Sequence, residues 1–172
     1  FIVPPDVLDP RPDTETLVAT ALEGPFTRVL DLGTGSGCIV LSLLDARAQA
    51  IGMGTDISQP ALDVAARNAA ALDLRGRVDF VQSDWFGAVQ GQFDLIVSNP
   101  PYIAAAEMDA LQPEVRLFEP RHALTDEADG LNAYQAITAA ARGYLLPAGR
   151  LIVEIGPTQG DAVAAMMRAA GL

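Results

Sequence analysis

Two rhythms alternate along this chain: short unbroken apolar runs, and longer stretches in which apolar residues recur every three or four positions. The first marks strands buried on both faces, and the second marks helices with one buried stripe. Residues 27–32 (TRVLDL) form an apolar run stopped by Gly33 and predict a first strand. Residues 38–50 place Ile39, Val40, Leu43 and Leu44 on one helical face. Residues 50–55 predict a second strand; Ser58 then suits a helix N-cap and Pro60 a first turn, for a helix to about Leu74. Residues 77–82 (RVDFVQ) alternate as a third strand, and residues 93–98 (FDLIVS) are continuously apolar as a fourth. Residues 131–146 read as a helix, which Pro147, Ala148 and Gly149 end before a fifth strand at 150–155. A last helix covers about 159–170.

Strand and helix in alternation predict an α/β fold, a mostly parallel, doubly wound sheet between two helical layers. Two segments break the rhythm. Residues 1–12 hold four prolines and should be extended, leading into a first helix that ends by about residue 25. Residues 99–130 hold four prolines with weak periodicity, a connection long enough to predict a functional segment closing over a substrate.

Bulk properties narrow the classes. A chain of 172 residues fits one domain, here 1–172, and buries roughly 70% of its unfolded surface. No apolar run reaches the roughly 18 residues a membrane span needs, and no basic-then-apolar signal opens the chain. The lone cysteine, Cys38, excludes an internal disulfide and fits a reducing compartment. The expectation is a soluble, cytoplasmic monomer with no membrane partner. Eleven Lys plus Arg, all of them arginine, stand against 22 Asp plus Glu, for a net charge of -11. Such a surface repels polyanions, which argues against direct nucleic-acid binding.

Ligands of open α/β sheets bind beyond the carboxyl ends of the strands, where strand order reverses. The polar residues crowd onto that rim. Strand one ends Asp31-Leu32-Gly33-Thr34-Gly35-Ser36-Gly37, strand two at Asp56, strand three at Ser83-Asp84-Trp85 and strand four at Asn99-Pro100-Pro101-Tyr102. Glycines at 33, 35 and 37 allow a sharp turn and close backbone approach, and the next helix offers free N–H groups. A dinucleotide fingerprint would need glycine at 38, where Cys38 stands. An aspartate before the turn suits a ligand with an amino-acid moiety, whose ammonium Asp31 would meet. Asp56 can accept from both hydroxyls of a ribose, which does not separate an adenosyl ligand from a dinucleotide; its other reading is an acid at a helix start. Asp84 can bond an adenine amino group while Trp85 flanks the ring, or Trp85 is simply a core or rim aromatic.

Asn99-Pro100-Pro101-Tyr102 carries the sharpest chemistry. An amide nitrogen is a poor nucleophile, because its lone pair is delocalised, and must be held in line to attack a methyl carbon. The Asn99 side-chain oxygen and the Pro100 carbonyl can each accept one hydrogen of an NH2 group. The two prolines stiffen that backbone, so the acceptors are preorganised for developing positive charge. Tyr102 offers a flat face to a planar amide or base. His122, the only histidine, reads as an exposed loop residue, with no metal site or triad around it. Cys38 reads as a small apolar residue, and Asp126-Glu127-Ala128-Asp129 as a solvated loop.

Arg11-Pro12-Asp13-Thr14-Glu15, the glycine turn, Ser83-Asp84-Trp85 and Ser98 to Ile103 together resemble the HemK/PrmC peptide chain release factor glutamine methyltransferases. The likeness runs from Phe1-Ile2-Val3 through Phe118-Glu119-Pro120 and Asp129-Gly130-Leu131 to Glu154-Ile155-Gly156. Asn-Pro-Pro-Tyr alone is shared with adenine and guanine amino methyltransferases; Arg-Pro-Asp-Thr-Glu is more specific. The resemblance implies a Rossmann-like class I methyltransferase core and S-adenosyl-L-methionine held by Asp31, Leu32, Gly33, Thr34, Gly35, Asp56, Asp84, Trp85 and Asn99. It implies an acceptor glutamine, from the Gly-Gly-Gln tripeptide of class 1 release factors, held by Asn99, Pro100, Pro101 and Tyr102. Asn99, Pro100 and Tyr102 are the catalytic candidates; Arg11, Pro12 and Glu119 would line the acceptor pocket. Against the family pattern, an N-terminal helical recognition domain and two final strands are expected to lie outside this sequence. The alternatives are a ribosomal-protein glutamine or the exocyclic amino group of a base as acceptor, or a nucleotide-binding oxidoreductase.

Overall fold

A computed structural model describes residues 1–4, 7–9 and 11–172, without the side chains of Pro12 and Leu117. Its elements run α1 (Pro12–Leu22), β1 (Arg28–Leu32), α2 (Cys38–Ala46), β2 (Ile51–Asp56), α3 (Gln59–Ala71), β3 (Val78–Gln82) and β4 (Phe93–Ser98). A 3-10 turn (Ala105–Ala110) and the short helices α4 (Pro113–Phe118) and α5 (Arg121–Leu124) follow. Then come α6 (Asn132–Tyr144), β5 (Leu145–Val153) and α7 (Gly160–Ala170). The strands form one sheet in the order β3-β2-β1-β4-β5, and every pairing is parallel. No described helix is long and apolar enough to cross a membrane.

Alternation along the central strands builds two cores. Val29, Leu95 and Val97 point to the face covered by α1 and α2, where they meet Leu17, Ala21, Ile39 and Leu43. Leu30, Leu32 and Ile96 point to the other face and meet Ile137 and Ala141 of α6. Because β1 and β4 are buried on both sides, their sequences are mostly apolar, with Asp31 and Asp94 the charged exceptions inside them. Asp31 shares parity with Val29 and therefore points toward α2.

The strand positions agree with the hydrophobic pattern except at β5. The chain leaves α6 at Tyr144 and enters β5 at once, whereas the proline–glycine signal at 147–149 predicts a later start. Pairing steps from Phe93↔Leu145 to Leu95↔Arg150, so residues 146–149 form an irregular bulge in which Ala148 adopts φ 65°. The turn residues were correctly a signal of broken geometry, but the break lies inside the strand. The predicted long loop at 99–130 is in fact organised into the 3-10 turn, α4 and α5. A parallel bridge between Ile103 and Thr125 ties the segment's ends together.

Gly54 couples sheet to site. A Cβ there would stand 2.8 Å from two Phe80 ring carbons and 2.8 Å from Thr34 Oγ1. Gly54→Ala should therefore cost about 1–3 kcal/mol, read as a lower urea midpoint; an unchanged midpoint would contradict this packing.

Candidate functional site

Backbone pairing continues past the strand ends and aligns the rim. Thr34 N donates to Thr55 O (2.8 Å), Ser83 N to Asp56 O (2.9 Å) and Glu154 N to Ser98 O (3.0 Å). Ser98 Oγ donates to Leu32 O (2.7 Å), locking β4 to β1 at the point where strand order reverses. Over this rim lies a cavity of about 680 Å³ whose lining includes Gly33, Thr34, Gly35, Asp56, Trp85 and Asn99. That volume is in the usual range for a small-molecule site.

The glycine turn is shaped from below by Asp31. Its Oδ2 accepts from Thr34 Oγ1 (2.7 Å) and from Val40 N in the first turn of α2 (3.3 Å). Asp31 Oδ1 is buried without a partner. Burial is the main reason the Asp31 carboxyl rises to about 7; the two hydrogen bonds oppose it and nearby Asp56 adds to it. A buried, partnerless carboxylate oxygen beneath the turn fits a cationic ligand group, whose charge would favour ionisation. Gly33 (φ 69°) and Gly35 (φ 54°) have open space where a side chain would stand, so the turn is a cradle that a Cβ would fill. Leu32 belongs to the core beneath, and neither it nor Asp31 is among the residues lining the cavity.

Asp56 ties two walls together. Its Oδ2 accepts from Gly35 N (3.0 Å) and its Oδ1 from Ser58 N (2.9 Å), while Ser58 Oγ caps α3 at Ala61 N. Asp56 therefore stands at the start of α3, as its helix-start reading expects, and also lines the cavity. Ser83 Oγ donates to Trp85 O (2.8 Å) and accepts from Ala88 N (2.9 Å), holding Trp85 at φ 46°. Trp85 is half-buried against the core and also faces the cavity, and exposed Asp84 stands beside it.

Asn99 and Pro101 line the same cavity as the glycine turn. Pro100 is buried and Tyr102 half-buried; neither is among the lining residues. Behind Asn99 lies a polar cluster that local sequence patterns did not single out. Asn99 Nδ2 donates to Thr14 Oγ1 (3.3 Å), Thr14 Oγ1 donates to Glu154 Oε2 (3.0 Å), and the Tyr102 hydroxyl donates to Glu154 Oε1 (3.5 Å). Tyr134 donates to the Glu154 carbonyl (2.9 Å). Gln159 Nε2 donates to Tyr102 O (2.8 Å), anchoring the Pro-Pro-Tyr loop to the start of α7. Burial pushes the Glu154 carboxyl above its ordinary value, with Asp13 adding to the rise; bonds from Thr14, Tyr102 and Asn99 oppose it. Burial likewise raises the Tyr102 phenol, and Glu154 adds to that rise.

The 99–130 segment arches over the rim. Arg121, His122 and Ala123 line the cavity, so His122 is exposed, as its sequence context suggests, yet borders the site. Arg11 of the lead-in pairs with Glu119, joining the chain before α1 to the end of α4. The Glu119 Oε2 atom is buried without a partner. Pro12 opens α1, and its side chain lies outside the described residues. The acidic run at 126–129 is not merely solvated. Asp126 accepts from the backbone N–H of Ala128, Gly130 and Asn132, each at 2.9 Å. Burial alone would raise its carboxyl, but these three donors hold it below the usual range.

Comparison with known proteins adds the following. The methyltransferase small domain family matches residues 9–127. The chain is 58% identical over 172 residues to the release factor glutamine methyltransferase of Cereibacter sphaeroides, covering 100% of this chain and 62% of that one. It is 54% identical over 170 residues to the protein of the same name from Rhodospirillum rubrum, covering 97% of this chain and 52% of that one. The chain thus spans less than two thirds of these relatives' length. A solved methyltransferase from Pyrococcus furiosus shares the fold, with a TM-score of 0.68, 17% identity, and coverage of 95% of this chain and 77% of that one.

The raised Asp31 carboxyl makes folding stability depend on pH. Its folded-state value of about 7 lies above the ordinary 3.8, so the native state binds the extra proton. Stability from this group is therefore full below about pH 4 and lost as pH rises toward 7. Urea unfolding should show wild type losing ground to Asp31→Asn across that window, by at most about 1.4 kcal/mol per pH unit. A pH-independent difference would contradict it.

Proposed function

The chain belongs to the methyltransferase small domain family, and we propose that it forms the catalytic core of an S-adenosylmethionine-dependent enzyme methylating a glutamine side-chain amide. The acceptor in this reading is the glutamine of the Gly-Gly-Gln tripeptide of class 1 release factors. The relatives' name supports the acceptor. One feature carries the chemistry: Asn99 and the Gly33–Gly35 turn line a single cavity.

The residues fit the methyl donor. An open cradle at Gly33 and Gly35, a partnerless buried oxygen on Asp31 and a carboxylate at Asp56 are complementary to its amino-acid and ribose groups. Trp85 and Asp84 would flank its adenine. When bound, S-adenosylmethionine supplies an electrophilic methyl carbon on a positively charged sulfur. Everything else falls to this chain.

Asn99 Oδ1 and the Pro100 carbonyl accept the two hydrogens of the acceptor amide, turning its lone pair toward the donor side of the cavity. As the nitrogen–carbon bond forms and the carbon–sulfur bond breaks, positive charge grows on nitrogen. Two fixed oxygen dipoles are already aimed at it, so no reorganisation is needed at that moment. The nitrogen then releases one proton to solvent, and the electron pair of the broken bond stays on the donor sulfur, which leaves as a neutral thioether. Pro100 and Pro101 supply the rigidity, and Gln159 braces the loop at Tyr102.

The test is transfer of a labelled methyl group by the full-length protein, with release factor, ribosomal protein and nucleic acid offered separately. Label should enter the release factor's glutamine; label in either other acceptor alone would overturn the reading. Asn99→Ala should cut the transfer rate by about 10²-fold or more while leaving donor affinity within severalfold by calorimetry. Equal loss of both would refute that division of roles. Asp56→Ala should weaken the donor roughly 10- to 100-fold, the worth of a hydrogen bond to a charged group; unchanged donor affinity would count against it.

A further inference from the structure

We propose that Glu154 is a positioning residue for Asn99: through Thr14 it fixes which end of the Asn99 amide faces the cavity. The inference rests on the methyl-transfer reading and adds to it a residue distant from the donor cradle.

A carboxylate accepts only, a threonine hydroxyl has one proton to give, and an asparagine amide has a donor end and an acceptor end of nearly equal shape. Thr14 Oγ1 gives its single proton to Glu154 Oε2 (3.0 Å). Toward Asn99 it can then only accept, which the Nδ2 end alone satisfies, and Nδ2 lies 3.3 Å away. The Tyr102 hydroxyl spends its proton on the other carboxylate oxygen (3.5 Å). Every donor therefore runs toward Glu154, and the planar amide turns Oδ1 away from Thr14. An acceptor NH2 group needs that oxygen; an Asn99 presenting its own NH2 would repel it.

The arrangement is well protected. Glu154 is 8% exposed and Thr14 6% exposed. The Glu154 backbone is held as well, its N–H by Ser98 O and its carbonyl by the Tyr134 hydroxyl. The groups acting on the carboxyl are Asp13 and Thr14 from α1, Asn99 and Tyr102 from the loop after β4, and Tyr134 from α6. Arg11 stands near Tyr102. Burial and Asp13 make protonation of Glu154 easier than for an ordinary glutamate. A protonated Glu154 can donate to Thr14, freeing the threonine proton for Asn99 and reversing the amide. Methyl transfer should thus have an acid limb set by this carboxyl.

The experiment uses the full-length protein, saturating methyl donor and a Gly-Gly-Gln peptide. Glu154→Gln keeps the shape but can donate. It should lower kcat by about 10²-fold, leave donor Kd within about threefold, and abolish the acid limb of kcat. Thr14→Val should lower kcat similarly, and Thr14→Ser should restore it. Wild-type kcat in Glu154→Gln, a persisting acid limb there, or equal activity in the two Thr14 variants would each overturn the inference. The Asn99 side-chain NH2 resonances provide an arm independent of the acceptor. They should shift in Glu154→Gln and Thr14→Val relative to Thr14→Ser, and unchanged resonances would overturn the relay. Variants whose resonances shift as expected, alongside a wild type that transfers nothing to the peptide, would instead sink the acceptor assignment alone.

Discussion

Parallel pairing of β1 with β4, register-locked where Leu32 meets Ser98, sets the geometry of the whole site. Strand order reverses between these two central strands, so the loops leaving them diverge and open a crevice. One loop is made of glycine and can approach a ligand; the other is made of proline and resists deformation. The Ser98 hydroxyl bonded to Leu32 O fixes their relative height. Without that register, the glycine turn and the Asn-Pro-Pro-Tyr loop would sit on a common rim but not across a common cavity.

Buried acids give the site its character. Asp31 and Glu154 flank the crevice from below and behind, each desolvated and each held by neutral donors rather than by a cation. Each costs stability when ionised. Asp31 retains a partnerless oxygen toward which a ligand cation is the natural complement. Glu154 has both oxygens engaged and acts inward on side chains. The two carboxyls thus differ: Asp31 is the more deeply buried and keeps one oxygen without a partner, whereas Glu154 has both oxygens engaged.

The sequence revealed the sheet well because its signals are local. The pattern marks β4 at its observed bounds, 93–98, since four apolar residues of six in a short run fit a strand buried on both faces. The rim residues were readable because each directly follows a strand. Thr14, Glu154, Tyr134 and Gln159 were not. Thr14 and Glu154 are 140 positions apart and meet only after the sheet has formed, so no periodicity links them. Thr14 sits inside the Arg-Pro-Asp-Thr-Glu motif and Glu154 begins Glu-Ile-Gly, and neither motif by itself shows the contact between them. The 99–130 segment misled in a different way. Its helices are four and six residues long, too short to display a 3.6-residue rhythm, and are held by Asp126, the Arg11–Glu119 pair and the Ile103–Thr125 bridge. At β5 the proline and glycine announced irregular backbone correctly, but only pairing with β4 shows that the irregularity is a bulge.

The central claim is that an amide nitrogen and a donor methyl meet between the Asn99 and Gly33 loops. The most direct measurement is a crystal structure of the full-length protein with S-adenosylhomocysteine and a Gly-Gly-Gln peptide. The account predicts the glutamine nitrogen within hydrogen-bond reach of both Asn99 Oδ1 and the Pro100 carbonyl, facing the sulfur across the cavity. A glutamine amide bound elsewhere, or Asn99 presenting Nδ2 to it, would contradict the account.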